Sequence, residues 1–357
     1  MLLKQSYHRT AWFSGGVFGR AAAQQKMLSL RYRPWLSLIL LFFLLLMLVL
    51  YALYVGNEQE GFRAVLLALI GQGDEFLTFL LYELRIPRIL AAIAAGAGFG
   101  AGGCLLQTLA RNRLATPNIV GLDNGATAFA VASIVALPVS LATPALALAG
   151  AATAAALAFG LSGGMGSKGY RFIIMGVGIG AIFGALTNFM LARSSMDSAN
   201  AAYPWTVGSL NARPEEATWW MFLCLLFMLP LGMYLARSLN LLRLSDEVAI
   251  SLGVSLRCTR WLTIATTVIL TGFAVALAGP VGMIALVAPE AARHFIAPNR
   301  VSVLLSALFG SFFLLLADVA GQRLWAPIEI PVGLITAIVG SPYLLWLLLR
   351  RQSHYSL

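Results

Sequence analysis

Three groups of residues have types and spacings that could do chemistry. Gly98-Phe99-Gly100-Ala101-Gly102-Gly103 matches the spacing GxGxxG, and Asp123 lies 20 residues beyond it. In a strand–turn–helix that pattern cradles the pyrophosphate of a dinucleotide. Gly163-Gly164-Met165-Gly166-Ser167-Lys168 has the composition of a phosphate-binding loop but the wrong order for GxxxxGK[ST]. Asp318 interrupts a long apolar run, with Asn188 a weaker polar candidate of the same kind. Ionisable residues in such runs mark proton or ion paths by default. No HExxH occurs, and neither the three His nor Cys104, Cys224 and Cys258 show metal-ligand spacing.

The elements that would have to position these residues decide between the readings. Of 357 residues, 60% are hydrophobic and 11% charged, against about 25% charged in a soluble domain. Runs of about 20 apolar residues, each suited to one crossing of the hydrocarbon, recur along the chain. They fall at 35–55, 87–110, 119–137, 141–161, 172–192, 218–236, 261–279, 281–297, 302–321 and 331–349. The expected fold is an all-α membrane protein with about ten transmembrane helices and both termini cytoplasmic. Residues 35–350 then form one domain between a basic tail (1–34) and a short tail (351–357), with Met27 an alternative translation start.

Charge placement tests the orientation. Of 24 Lys and Arg, all but Arg63, Arg85, Arg88, Arg193, Arg213 and Arg323 fall on the side assigned to the cytoplasm, as the positive-inside rule requires. The net charge of +10 therefore reflects orientation rather than nucleic-acid binding. Glycines 98–103 lie midway through a crossing, so helix packing displaces the dinucleotide reading. Gly96 and Gly100, and Gly176, Gly180 and Gly184, recur every four residues; such stripes allow close helix approach, either static or sliding. Asp318 has two readings: a proton relay, or a structural contact near the outer end with Arg323 as a possible partner.

The longest polar interval in the second half, 237–260, carries Arg237, Arg243, Arg257 and Arg260. Its centre reads as a short helix. Ser245 can cap it, Asp246 and Glu247 suit the first turn, and Gly253 can close it. Ala249 and Leu252 are expected to share one face. So short a helix needs support from its flanks or from a partner.

Three stretches in order go beyond class. Arg85-Ile86-Pro87-Arg88 leads through a Gly/Ala-rich helix and Gln107 to Arg111-Asn112-Arg113-Leu114-Ala115-Thr116-Pro117-Asn118-Ile119-Val120-Gly121, then Asn124-Gly125-Ala126. Gly279-Pro280-Val281-Gly282 runs on to Ala288-Pro289-Glu290 and Arg293. Ala317-Asp318 precedes Glu329-Ile330-Pro331-Val332-Gly333 and Gly340-Ser341-Pro342. Over roughly 35–350 this resembles the FecCD permease family, membrane subunits of bacterial ABC importers for iron-siderophore complexes, haem and vitamin B12.

The resemblance implies a ten-helix permease of the inner membrane that works in a pair, itself or a sister chain, with two ATPases and a periplasmic binding protein. It implies no cofactor on this chain and no covalent chemistry; ATP and Mg belong to the ATPase. Ser245, Asp246, Glu247, Ala249, Leu252 and Gly253 match the cytoplasmic coupling loop between the sixth and seventh helices. Arg85 and Arg88, with Arg323, match outer positions that meet the binding protein. Asn112, Asn124, Asn188, Glu290, Arg293 and Asp318 are candidates for polar roles in the path or its framework. The sequence departs from the family pattern at Arg113, where Pro is usual, at Glu290, where His is usual, and at Gln322, where Arg is usual. Glu290 and Arg293 can pair one turn apart. The rival class is an ion-coupled secondary transporter using Asp318; a membrane enzyme lacks any nucleophile or metal constellation.

Overall fold

The computed structural model describes residues 34–54, 61–135, 143–162, 169–211, 213–296 and 300–349, so both tails and Met27 lie outside the described residues. All regular structure among the described residues is helical. Each of the ten expected apolar segments coincides with one helix: α1 (Pro34–Tyr54), α4 (Ile86–Leu109), α5 (Leu122–Val135), α6 (Thr143–Leu161), α7 (Gly169–Arg193), α9 (Glu215–Leu242), α11 (Leu256–Ala278), α12 (Gly282–His294), α13 (Val303–Arg323) and α14 (Val332–Leu349). Four further helices, α2 (Gly61–Leu69), α3 (Glu75–Phe79), α8 (Met196–Val207) and α10 (Asp246–Ser251), lie between them.

Among the described residues, seven helical segments are long and apolar enough to cross a membrane; α5 and the apolar part of α14 are shorter. At about 1.5 Å per residue, the 14 residues of α5 and the 13 of α12 fall short of a hydrocarbon core about 30 Å thick. A 3-10 turn (Pro117–Val120) leads into α5 through Gly121 in the left-handed region. α12 follows α11 directly after a break at Gly279, whose φ of +77° only glycine adopts without strain.

The second expected crossing starts earlier than its apolar run. Asp74 caps α3, its carboxylate accepting from the N–H groups of Phe76 (3.1 Å) and Leu77 (3.3 Å). A π-helical turn (Leu80–Arg85) then joins α3 to α4, giving one helical path over Glu75–Leu109. Proline lacks an N–H and its ring crowds the preceding turn; the wide turn directly before Pro87 accommodates both.

α4 is the axle of the bundle. Its glycines let four helices approach on different sides: Gly96 and Gly100 face α13 at Gly310 and Ser306, Gly98 faces Met221 of α9 and Leu270 of α11, and Gly103 faces Ala285 of α12. A Cβ at any of these positions would overlap the neighbour. The GxGxxG spacing is thus a packing pattern, and Ser311 of α13 adds a hydrogen bond to the Ile93 carbonyl of α4 (2.8 Å). In α7 the stripe divides. Gly176 and Gly180 pack on Gly121, whereas Gly184 meets nothing within 4 Å.

Candidate functional site

Polar side chains gather at the two ends of α4, about 36 Å apart for 24 helical residues. At the first end, Arg88 grips Asp318 of α13 with two donors, Nε to Oδ2 at 3.0 Å and Nη2 to Oδ1 at 3.0 Å. Its Nη1 reaches Glu329 at 2.9 Å, and Gln322 donates to Asp318 Oδ2 at 2.7 Å. Asp318 is 3% exposed and Arg88 18%.

This corrects one expectation. The partner of Asp318 is Arg88, 230 residues away, rather than Arg323 five residues along the same helix. Arg88 is also enclosed by two carboxylates, Asp318 and Glu329. Arg85 donates to the Leu53 carbonyl at the end of α1 (2.7 Å), and Arg323 is half-buried within electrostatic reach of Arg85.

The second end is built around α10. Ser245, in extended conformation, accepts from the Val248 N–H (3.1 Å). Gly253, at φ +83°, closes the helix with its own N–H on the Ile250 carbonyl (2.9 Å) and that of Val254 on Ala249 (2.9 Å). That is the Schellman arrangement. Asp246 sits between Arg111 (2.6 Å) and Arg260 (2.7 Å), which ties α10 to the end of α4 and to α11. Burial opposes its ionisation, but the hydrogen bond and charge of Arg260 and the charge of Arg111 outweigh it and hold the carboxyl below the ordinary value. Arg111 takes φ +50° and also donates to the Leu242 carbonyl that ends α9.

The expectation that Ala249 and Leu252 share a face is overturned. Ala249 is fully buried in a cluster with Leu239 and Leu242 of α9, whereas Leu252 caps the helix and is 59% exposed. Leu244, Val248 and Ile250 are exposed as well, beside exposed Arg243, Glu247 and Ser251. Ala249 and Asp246 anchor this helix, and Val248, Ile250 and Leu252 are the apolar side chains it presents. Glu247 is fully exposed, its carboxyl held below the ordinary value by its own backbone N–H and by Ser245.

Beside α10, Glu290 of α12 bridges Arg293 at 2.6 Å and Arg113 at 3.3 Å. Arg293 also donates to Gln107 Oε1 at 2.8 Å, and Gln107 Nε2 lies 3.3 Å from the Leu286 carbonyl. The one-turn pairing of Glu290 with Arg293 is therefore present. The structure adds that Arg113 and Glu290, two departures from the family pattern, form one ion pair.

The remaining candidates are dispersed. Asn112 Oδ1 accepts from the Leu114 N–H (2.9 Å) and shapes the turn after α4. Asn124 packs against Gly180 of α7, and Asn188 is exposed on the chain. Sequence reasoning weighed Asp123 only as the acid of the displaced dinucleotide reading; it is 2% exposed with Oδ2 lacking a hydrogen-bond partner among the described residues. Its position in the first turn of a helix behind a glycine is the signal that was available.

Residues 44–350 match the FecCD transport family. The Fe(3+)-citrate import system permease protein YfmE of Bacillus subtilis (strain 168) is 36% identical over 319 residues, covering 88% of this chain and 95% of the relative. The ferric enterobactin transport system permease protein FepG of Escherichia coli (strain K12) is 35% identical, over 81% of this chain and 88% of the relative. In three dimensions the chain is similar to a solved metal-chelate type ABC transporter in an inward-facing conformation, with TM-score 0.75 and 25% identity over 88% of this chain and 98% of that one. With the match spanning nearly every described helix, the chain belongs to the FecCD transport family.

Proposed function

We propose that this chain is the multi-pass permease subunit of an ATP-driven importer in the bacterial inner membrane. It passes an iron chelate, such as a ferric siderophore, ferric citrate or haem, or a related corrinoid, from periplasm to cytoplasm by alternating access. Ten crossings with cytoplasmic termini accord with the charge bias. Two ATPase subunits, a second permease and a periplasmic binding protein complete the assembly.

The observation that carries the reading is α10: a six-residue helix clamped to the bundle while Val248, Ile250 and Leu252 stay exposed. Two turns of helix have no stability of their own. Held by Asp246 and Ala249, this one acts as a rigid peg whose motion is transmitted directly to α4, α9 and α11. Its exposed apolar side chains suit a groove on an ATPase, and ATP-driven closure of that groove moves the bundle through this peg. Asp318, grasped by Arg88 through both oxygens, is a strut between α4 and α13, which counts against ion coupling through it.

Leu252→Asp tests the docking. The variant should fold, because this side chain is exposed, yet lose co-purification with the cognate ATPase and with it transport. Full retention of ATPase binding would sink the assignment of this face.

A further inference from the structure

A cavity of about 330 Å³ opens at the α10 end of α4. Its wall carries Arg111, Arg113, Arg243, Arg293 and Arg300, and among the described residues no carboxylate lines it. The two acids that touch these arginines are already shared: Glu290 between Arg113 and Arg293, and Asp246 between Arg111 and Arg260. Part of the positive charge serves helix ends, as when Arg111 donates to the Leu242 carbonyl. A surplus remains. Arg243 stands within electrostatic reach of both Arg293 and Arg113, an arrangement of like charges that an anion between them would relieve.

The wall has the other fittings of an oxyanion site. The N-terminus of α13 enters it at Ser302, so the positive end of a 21-residue helix adds to the arginines. Thr108 and Ser306 also line the wall, their hydroxyls already donating to the Cys104 and Ser302 carbonyls. The volume exceeds what a bare phosphate fills and suits a small phosphoester. The cavity lies where α4, α9 and α12 end, the level of lipid headgroups. Basic pockets between transmembrane helices on that face take anionic headgroups.

We propose that this cavity binds the phosphodiester headgroup of an anionic phospholipid, with Arg243 and Arg300 closing on the phosphate. Only the placement of this end of the bundle at the cytoplasmic leaflet rests on the proposed function. Failure of this site leaves the transport reading standing, and the reverse also holds.

The test uses the full chain in nanodiscs of phosphatidylcholine with and without phosphatidylglycerol. Phosphatidylglycerol should raise the unfolding midpoint, and native mass spectrometry should show it retained on the released protein. Arg243→Gln with Arg300→Gln should weaken that retention by about thirtyfold and abolish the midpoint shift, with the midpoint in pure phosphatidylcholine unchanged. Arg193→Gln, at the far end of α7, should leave both intact and so controls for net charge. Equal midpoints in the two lipids, or full retention by the double variant, would overturn the site. Equal protection by glycerol 3-phosphate in phosphatidylcholine would overturn the lipid as the source while keeping a phosphate site. Protection by the ATPase subunit but by neither phosphate would assign the cavity to a protein partner and overturn the proposal.

Discussion

Removing Arg88 should destabilise this protein far more than removing an outer rim charge. In Arg88→Met, Asp318 keeps its 3% exposure but loses both guanidinium bonds, and only Gln322 at 2.7 Å still donates to it. Breaking one side of a buried pair costs about 3–5 kcal/mol, against about 0–1 kcal/mol for an exposed one. Asp318→Leu leaves Arg88 with Glu329, which is 48% exposed and 2.9 Å away; losing one charged hydrogen-bonding partner there costs about 1.5–3 kcal/mol. The double variant strands neither charge, so the two losses should not add, and a coupling of about 2 kcal/mol is expected within the range for contacting residues. The assay is unfolding of the four purified proteins in one detergent, followed by tryptophan fluorescence. Losses that add to within about 0.5 kcal/mol, or an Arg88→Met protein as stable as the parent, would refute the strut.

Other expectations follow from the same geometry. Gly100→Ala places a Cβ against the Ser306 carbonyl and should cost about 1–3 kcal/mol or more in unfolding assays; Gly178→Ala, with nothing within 4 Å, should not destabilise. Glu290→Gln strips two arginines of a 5% exposed carboxylate and should lower stability by about 2 kcal/mol. Arg113→Ala, at 59% exposure, should cost less than about 1 kcal/mol; the opposite order would mean the bridge is misassigned. Asp246 has a depressed folded value, so its contribution is present above the ordinary carboxylate range and lost as pH falls through that depressed value. The stability difference between the parent and Asp246→Asn should therefore shrink on acidification, and a gap that widens toward low pH would contradict the assigned sign.

Signals confined to a few consecutive residues were legible in the sequence. The ten apolar segments each became a helix, the interruption at Gly279 and Pro280 became a helix break, and Ser245 and Gly253 bound a short helix as their chemistry suggests. The pairing of Glu290 with Arg293 follows from one helical turn. Contacts between distant segments were not legible. Arg88 and Asp318 meet only because the glycines of α4 let α13 lie against it, and nothing local to Asp318 favours Arg88 over Arg323. Ala249 and Leu252 lie three positions apart, yet the side that α9 covers takes Ala249 alone. α8 escaped notice because Met196–Val207 has little apolar periodicity and contains Pro204. The extension of α4 back to Glu75 was hidden behind Pro87, a residue that normally marks a boundary.

The central claim is that ATP hydrolysis on a partner, transmitted through α10, drives import. Proteoliposomes holding the permease and its cognate ATPase, supplied with loaded binding protein outside and with ion gradients collapsed, test it most directly. Accumulation of a ferric chelate should require ATP on the ATPase side and should disappear in Leu252→Asp. Uptake that proceeds without ATP, follows an imposed proton gradient and is lost in Asp318→Asn would contradict the account.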